Sequence, residues 1–168
     1  MLDDVLAPDL ALVVCGTAAG KRSGELKQYY AGPGNKFWRT LWQVGLTPQL
    51  LSPGEADQLL GCGIGLTDVV KGQSGPDSAI RFDGDGVEFL RGKLLKLRPR
   101  LLCFNGKRSA QVFLGAKTVD YGLLAEQVGS TMLFVAPSTS AAANGSWDLR
   151  HWQELAALVQ AEVAEREE

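Results

Sequence analysis

Histidine occurs once in the 168 residues, as His151, and cysteine three times, as Cys15, Cys62 and Cys103. These four residues lie far apart and give no close ligand spacing for a structural zinc. Three thiols also fall short of the four thiolates of an iron–sulfur cluster. An odd number of cysteines cannot all pair internally, so reduced thiols buried in or beside strands are expected. No metal and no other cofactor is expected. An excess of positive charge is missing too: 17 basic residues face 19 acidic ones, a formal charge of −2. A mainly electrostatic nucleic-acid binder is usually basic overall, and composition gives that class no support. The acids are dense at the two ends (Asp3, Asp4 and Asp9, then Glu162, Glu165, Glu167 and Glu168), which leaves room for a local basic patch between them. The opening "MLDDVLAPDL" carries acids where a secretory signal needs bases, and no apolar run approaches membrane-spanning length. A cytoplasmic location with no membrane partner is the expectation. The chain also lacks a true phosphate loop. "CGTAAGKRSG" follows an apolar run, but Cys15 stands where the pattern requires its first Gly, and Arg22 where it requires Ser or Thr. A nucleotide triphosphatase is a poor reading of that loop.

What remains is the composition of a globular domain, 45% apolar and 21% charged, at the length of one domain. Residues 1–168 are read as a single domain without internal repeats. Four apolar runs predict strands: Ala11 to Cys15, Ile64 to Val69, Leu101 to Phe104 and Met132 to Val135. Helical spacing links Phe37, Trp38, Leu41, Trp42 and Val44 behind a Gly-Pro-Gly-Asn turn. It also links Ala56, Leu59 and Leu60 behind Pro53, and Val87, Leu90, Leu94 and Leu97 before Pro99. A last helix carries Leu149, Trp152, Leu155, Ala156 and Val159 on one face, with Asp148 at its N-terminal dipole. Alternating strands and helices predict an α/β fold with a mainly parallel sheet covered on both faces. Ligands of such folds gather beyond the carboxyl ends of the strands. Four polar, glycine-rich segments fall there: Gly16 to Gly34, Asp68 to Ser78, Asn105 to Ser109 and Pro137 to Ser146.

Each polar candidate in those segments has a plain alternative. Tyr29 and Tyr30 offer flat rings on which a base could stack, and equally two rings for the core. Asn35 in "GPGNKFW" is a natural helix N-cap. Asp68 closes an apolar strand, where an unpaired carboxylate is expensive to bury; it is a candidate base or charge stabiliser, or else one half of a salt bridge with Lys71. Asn105 could read the edge of a ligand or simply open a turn before Gly106. "APSTSAAANGS" offers hydroxyls and backbone N–H groups to phosphate oxygens, or is a plain loop. His151, inside the last helix, suits a surface or interface better than catalysis.

Five blocks, "DVLAPDLALVVCG", "YYAGPGNKFWRTLWQVGLTP", "GIGLTDVV", "LLCFNGKRSAQVF" and "APSTSAAA", resemble in order and spacing the uracil-DNA glycosylase superfamily. The mismatch-specific uracil/thymine and the hypoxanthine-directed branches are the nearest. The resemblance implies a three-layer α/β/α sandwich with a four-stranded, mainly parallel sheet. It implies a monofunctional glycosylase that hydrolyses the N-glycosidic bond of uracil, or of another deaminated base such as hypoxanthine or xanthine, flipped out of DNA. It further implies that Gly16, Thr17 and Ala18 rim a base pocket. Ala18 falls where the mismatch-specific branch has the water-positioning Asn of Gly-Ile-Asn-Pro-Gly. By the same resemblance Tyr30 stacks on the base, Asn105 reads its edge, and Asn35 takes part in catalysis. Ser138, Thr139, Ser140, Ala142 and Lys107 meet the DNA, Ala142 standing at the wedge position without a bulky side chain. Because Ala18 cannot hold a water, Asp68 is the leading candidate for that task and Asn35 the second. A monomer acting on damaged DNA is expected. A catalytically impaired DNA-binding module of the same fold, and an unrelated α/β enzyme of nucleosides or nucleotides, stand as alternatives.

Overall fold

The computed structural model of the protein describes residues 2–71, 73, 75 and 84–167, with side chains through 165. Part of the second polar segment (Gly72, Ser74 and residues 76–78) lies outside the described residues. Five strands form one sheet: β1 (Leu12–Gly16), β2 (Ile64–Asp68), β3 (Leu101–Asn105), β4 (Gly122–Val128) and β5 (Thr131–Ala136), in the order β2-β1-β3-β5-β4. All neighbours run parallel except β4, which is antiparallel to β5. The helices are α1 (Lys21–Leu26), α2 (Phe37–Gln43), α3 (Asp85–Leu97), α4 (Lys107–Leu114) and α5 (Leu149–Glu167), with 3₁₀ turns at Pro53–Cys62 and Ala141–Ser146.

Strands β1, β2 and β3 are buried along their whole length, which is why they read as unbroken apolar runs. Alternate side chains feed two cores. Leu12, Val14, Ile64, Leu66, Leu101, Cys103 and Phe134 point to one face, under Phe37, Leu41, Trp152 and Leu155 of α2 and α5. Val13, Cys15, Leu102, Phe104, Leu133 and Val135 point to the other, under Leu90, Leu94 and Phe113 of α3 and α4. Cys15 and Cys103 are buried and Cys62 is half-buried, all three as free thiols. The turn at Pro53 is closed by a capping box between Ser52 and Glu55.

The sheet has one strand more than the four expected. The additional strand, β4, is an edge strand with most of its middle exposed, so "GLLAEQV" carries no buried run to betray it. Helices α1 and α4 were likewise unforeseen. Trp42, expected on the inner face of α2, is about half exposed, at 47%.

Candidate active site

The strand register sets up the site. Gly16 pairs with Asp68 across β1 and β2, Asn105 pairs with Ala136 across β3 and β5, and Cys15 pairs with Phe104. One residue beyond the last pair, Gly16 lies beside Asn105. Gly16, Asp68 and Asn105 thus form a row across the carboxyl ends of three parallel strands. By the alternation along each strand, the row faces the α2 and α5 side. A cleft of about 880 Å³ opens over it, lined among others by Thr17, Ala18, Tyr30, Asn35 and Ser138. Gly16 keeps the middle of the row open: a Cβ there would meet the Asp68 Oδ1 at 2.7 Å and the Tyr30 hydroxyl at 3.5 Å.

Asp68 is 5% exposed. Burial pushes its carboxyl up to about 6; the ammonium of Lys71 opposes that rise, and the charge of Asp4 adds to it. Lys71 Nζ lies 3.6 Å from Oδ2, so the salt bridge weighed from the sequence exists while the carboxylate still borders the cleft. A carboxylate that titrates near neutrality at the floor of a cleft can orient water and stabilise developing positive charge. The thiol of Cys15, in the neighbouring strand, is held well above its usual range by burial and then by Asp68, and so is no nucleophile.

Tyr30 leans over this floor. Its ring stacks on Phe37 at a centroid distance of 4.0 Å, and its hydroxyl is buried. That hydroxyl faces Asn105 but makes no hydrogen bond of good geometry among the described residues. Tyr29 also borders the cleft but packs into the core: it is 3% exposed, its carbonyl accepts from Trp38 Nε1 at 3.0 Å, and its hydroxyl accepts from Lys71 at 2.9 Å. Asn35 borders the cleft while its Oδ1 accepts from the N–H of Phe37, the first residue of α2, at 3.0 Å; the N-cap itself is Lys36, one residue after the position expected from the sequence.

Asn105 and Thr139 form a reciprocal pair. The Asn105 Nδ2 donates to Thr139 Oγ1, and the Thr139 N–H donates to Asn105 Oδ1, both at 3.0 Å. Thr139 also accepts from the Lys36 N–H at 2.9 Å, so it ties the β5 loop to β3 and to the start of α2. Its side chain is fully buried, whereas Ser138 and Ser140 are half-buried and Ala142 is exposed. The Ser140 hydroxyl caps the following 3₁₀ turn by accepting from the Ala142 N–H at 3.2 Å. The sequence reading missed several residues on the rim. Lys21, Arg22 and Arg108 join Lys107 around the cleft, all four exposed, and Tyr121 stands among them. Lys107 lies 4.5 Å over the Tyr121 ring, and His151 packs against the same ring at 4.9 Å. Basic residues in "GKRSG" and "NGKRS" were the available signal for the rim cations.

Two comparisons bear on this arrangement. The solution NMR structure of a candidate uracil DNA glycosylase from Methanosarcina acetivorans superposes with a TM-score of 0.62 at 24% identity, covering 95% of this chain and 96% of that one. At that identity the likeness speaks for the shared fold. The sequence profile of the uracil DNA glycosylase superfamily matches residues 4–160, which takes in every strand and the cleft lining apart from Leu2. The chain therefore belongs to the uracil DNA glycosylase superfamily.

Proposed function

We propose that the protein excises uracil from DNA by hydrolysing the N-glycosidic bond of an extruded nucleotide, the opening step of base-excision repair. The observation that carries this reading is the row of Asp68, Gly16 and Asn105 on the cleft floor under the ring of Tyr30. Extruding a base costs a few kcal/mol, and stacking on an aromatic ring recovers roughly 1–3 kcal/mol per base. Tyr30 supplies that ring. Asp68 orients the attacking water and stabilises the oxocarbenium-like sugar, while Asn105 and the backbone N–H groups of the Thr17–Ala18 rim receive the anionic base. Asn35 stands on the wall as the second candidate for holding water. Ser138, Ser140 and Ala142 follow the strand's backbone, with Thr139 fixing their loop and Lys107 adding charge at the rim.

The test is single-turnover excision from a uracil-containing oligonucleotide, in excess chelator, followed by alkaline cleavage of the abasic product. Full activity is expected without metal. Since the ionised carboxylate is the working form, the rate is expected to rise with pH through about 6, where Asp68 titrates. Asp68→Asn is expected to lower the rate roughly 10²–10⁴-fold with DNA binding largely kept. Near-normal turnover in Asp68→Asn beside a collapse in Asn35→Ala would move the role to Asn35. Binding without excision by the unaltered protein would identify a binding module, the reading that Ala18 favours.

A further inference from the structure

A chain of four ions (Asp68, Lys71, Asp4 and Lys93) runs from the cleft floor along the outer edge of β2. Val5 pairs with Leu66 in antiparallel fashion, with N–H to carbonyl distances of 2.9 and 2.8 Å, so the segment around it lies along that edge. Gly65 permits the approach, because a Cβ there would meet the Val5 carbonyl oxygen at 2.5 Å. The segment delivers Asp4. Its Oδ1 accepts from Thr67 Oγ1 at 2.7 Å and pairs with Lys71 at 2.6 Å, while its Oδ2 pairs with Lys93 of α3.

Lys71 is the centre of the chain. Besides Asp4 it donates to the Tyr29 hydroxyl at 2.9 Å and to the Leu2 carbonyl at 3.2 Å. An ammonium has three N–H donors, and these three partners use them all. Asp68 Oδ2, at 3.6 Å, lies beyond hydrogen-bond range yet well within reach of the charge. Two lysines and two carboxylates balance only while Asp68 is ionised.

We infer that Lys71, clamped by Asp4, Tyr29 and the Leu2 carbonyl, is a positioning residue that keeps Asp68 ionised without taking up the lone pairs that water and sugar need. The functional part of this inference rests on Asp68 acting in the proposed hydrolysis. Lys71 supports the carboxylate electrostatically without occupying its lone pairs. The other groups that act on Asp68 are Asp4 from the N-terminal segment, Lys93 from α3, Cys15 from β1, and the phenols of Tyr29 and Tyr30.

The experiment follows the Asp68 carboxyl carbon by NMR across a pH titration of the ¹³C-labelled full chain, with Asp68→Asn assigning the resonance. The same variants are assayed for single-turnover excision of uracil against pH. Lys71→Met keeps the aliphatic stem and removes the charge. It is expected to raise the Asp68 midpoint by roughly 1–3 pH units and to carry the acid limb of the rate profile with it. Lys71→Arg is expected to restore both. Asp4→Asn removes a neighbouring negative charge and is expected to move both the other way, which gives a second test should Lys71→Met fail to fold. An unchanged Asp68 midpoint in the folded variants, or a loss of rate equal at every pH with no change in that midpoint, would overturn the inference. A midpoint that moves while the rate profile does not would uphold the ion chain and remove Asp68 from the chemistry. The NMR arm decides the electrostatic claim even if the protein excises no uracil.

Discussion

Tyr30 shows how one side chain can serve two demands at some cost. Its backbone takes φ 53°, a left-handed conformation that only glycine adopts freely. Among the described residues its buried hydroxyl has no well-formed partner, and leaving such a group unsatisfied costs about 1–3 kcal/mol. The stack on Phe37, worth about 0.5–1.5 kcal/mol beyond the area it buries, works in the opposite direction. The ring, then, is the part the fold is built to hold. Tyr30→Phe is expected to keep DNA binding and to melt at or slightly above the parent temperature, since it removes the orphan hydroxyl and spares both ring faces. Tyr30→Ala is expected to lose both stability and productive binding of uracil-containing DNA. Thermal melts and a binding titration on the two variants check this. Equal, small losses in both would show that the ring carries no base.

At the scale of strands and helices, the site is a consequence of register. Each of β1, β2 and β3 ends in a residue that breaks its apolar run, and parallel pairing sets those ends side by side. That much is legible in the sequence: Asp68 and Asn105 stand out because a buried run has no other use for them. Four of the five strands are legible for the same reason, being covered on both faces. Strand β4 is not, because an exposed edge imposes no apolar pattern. Helix α1 is only six residues long, with Gly24 inside it, too short to show a period. The pairing of Lys93 with Asp4 spans 89 residues, a tertiary contact that no local spacing encodes. Gly16 is the element-level feature most open to test. Gly16→Ala would set a methyl group 2.7 Å from the Asp68 Oδ1, a position that real Cβ atoms do not occupy, so the carboxylate must move. Misplacement by about 1 Å can cost about 10²-fold in rate. A drop of that order in single-turnover excision is expected, with the fold retained by circular dichroism. A normal rate would show that Asp68 need not stand where it does.

On the whole molecule, a net charge of −2 and a DNA substrate are reconciled by where the charges lie. Lys21, Arg22, Lys107 and Arg108 ring the mouth of the cleft, where Glu25 is the one carboxylate among the described rim residues, Asp68 lying below on the floor. Acids dense at the chain's two ends set the overall sign, so composition alone could not disclose the patch. Such a rim is expected to bind phosphates without reading sequence, each cation that neutralises a phosphate releasing counterions. Lys107 is the best placed for a test because the Tyr121 ring, 4.5 Å beneath its ammonium, fixes its direction without neutralising it. Lys107→Ala is expected to weaken binding by a similar factor on uracil-containing and undamaged oligonucleotides alike. It is also expected to reduce the slope of log affinity against log salt by about one. Lys96, on α3 and away from the cleft, provides the control: Lys96→Ala changes net charge equally and is expected to leave the slope unaltered. Equal effects from both substitutions would mean that DNA responds to the charge of the whole protein, and the rim would lose its role.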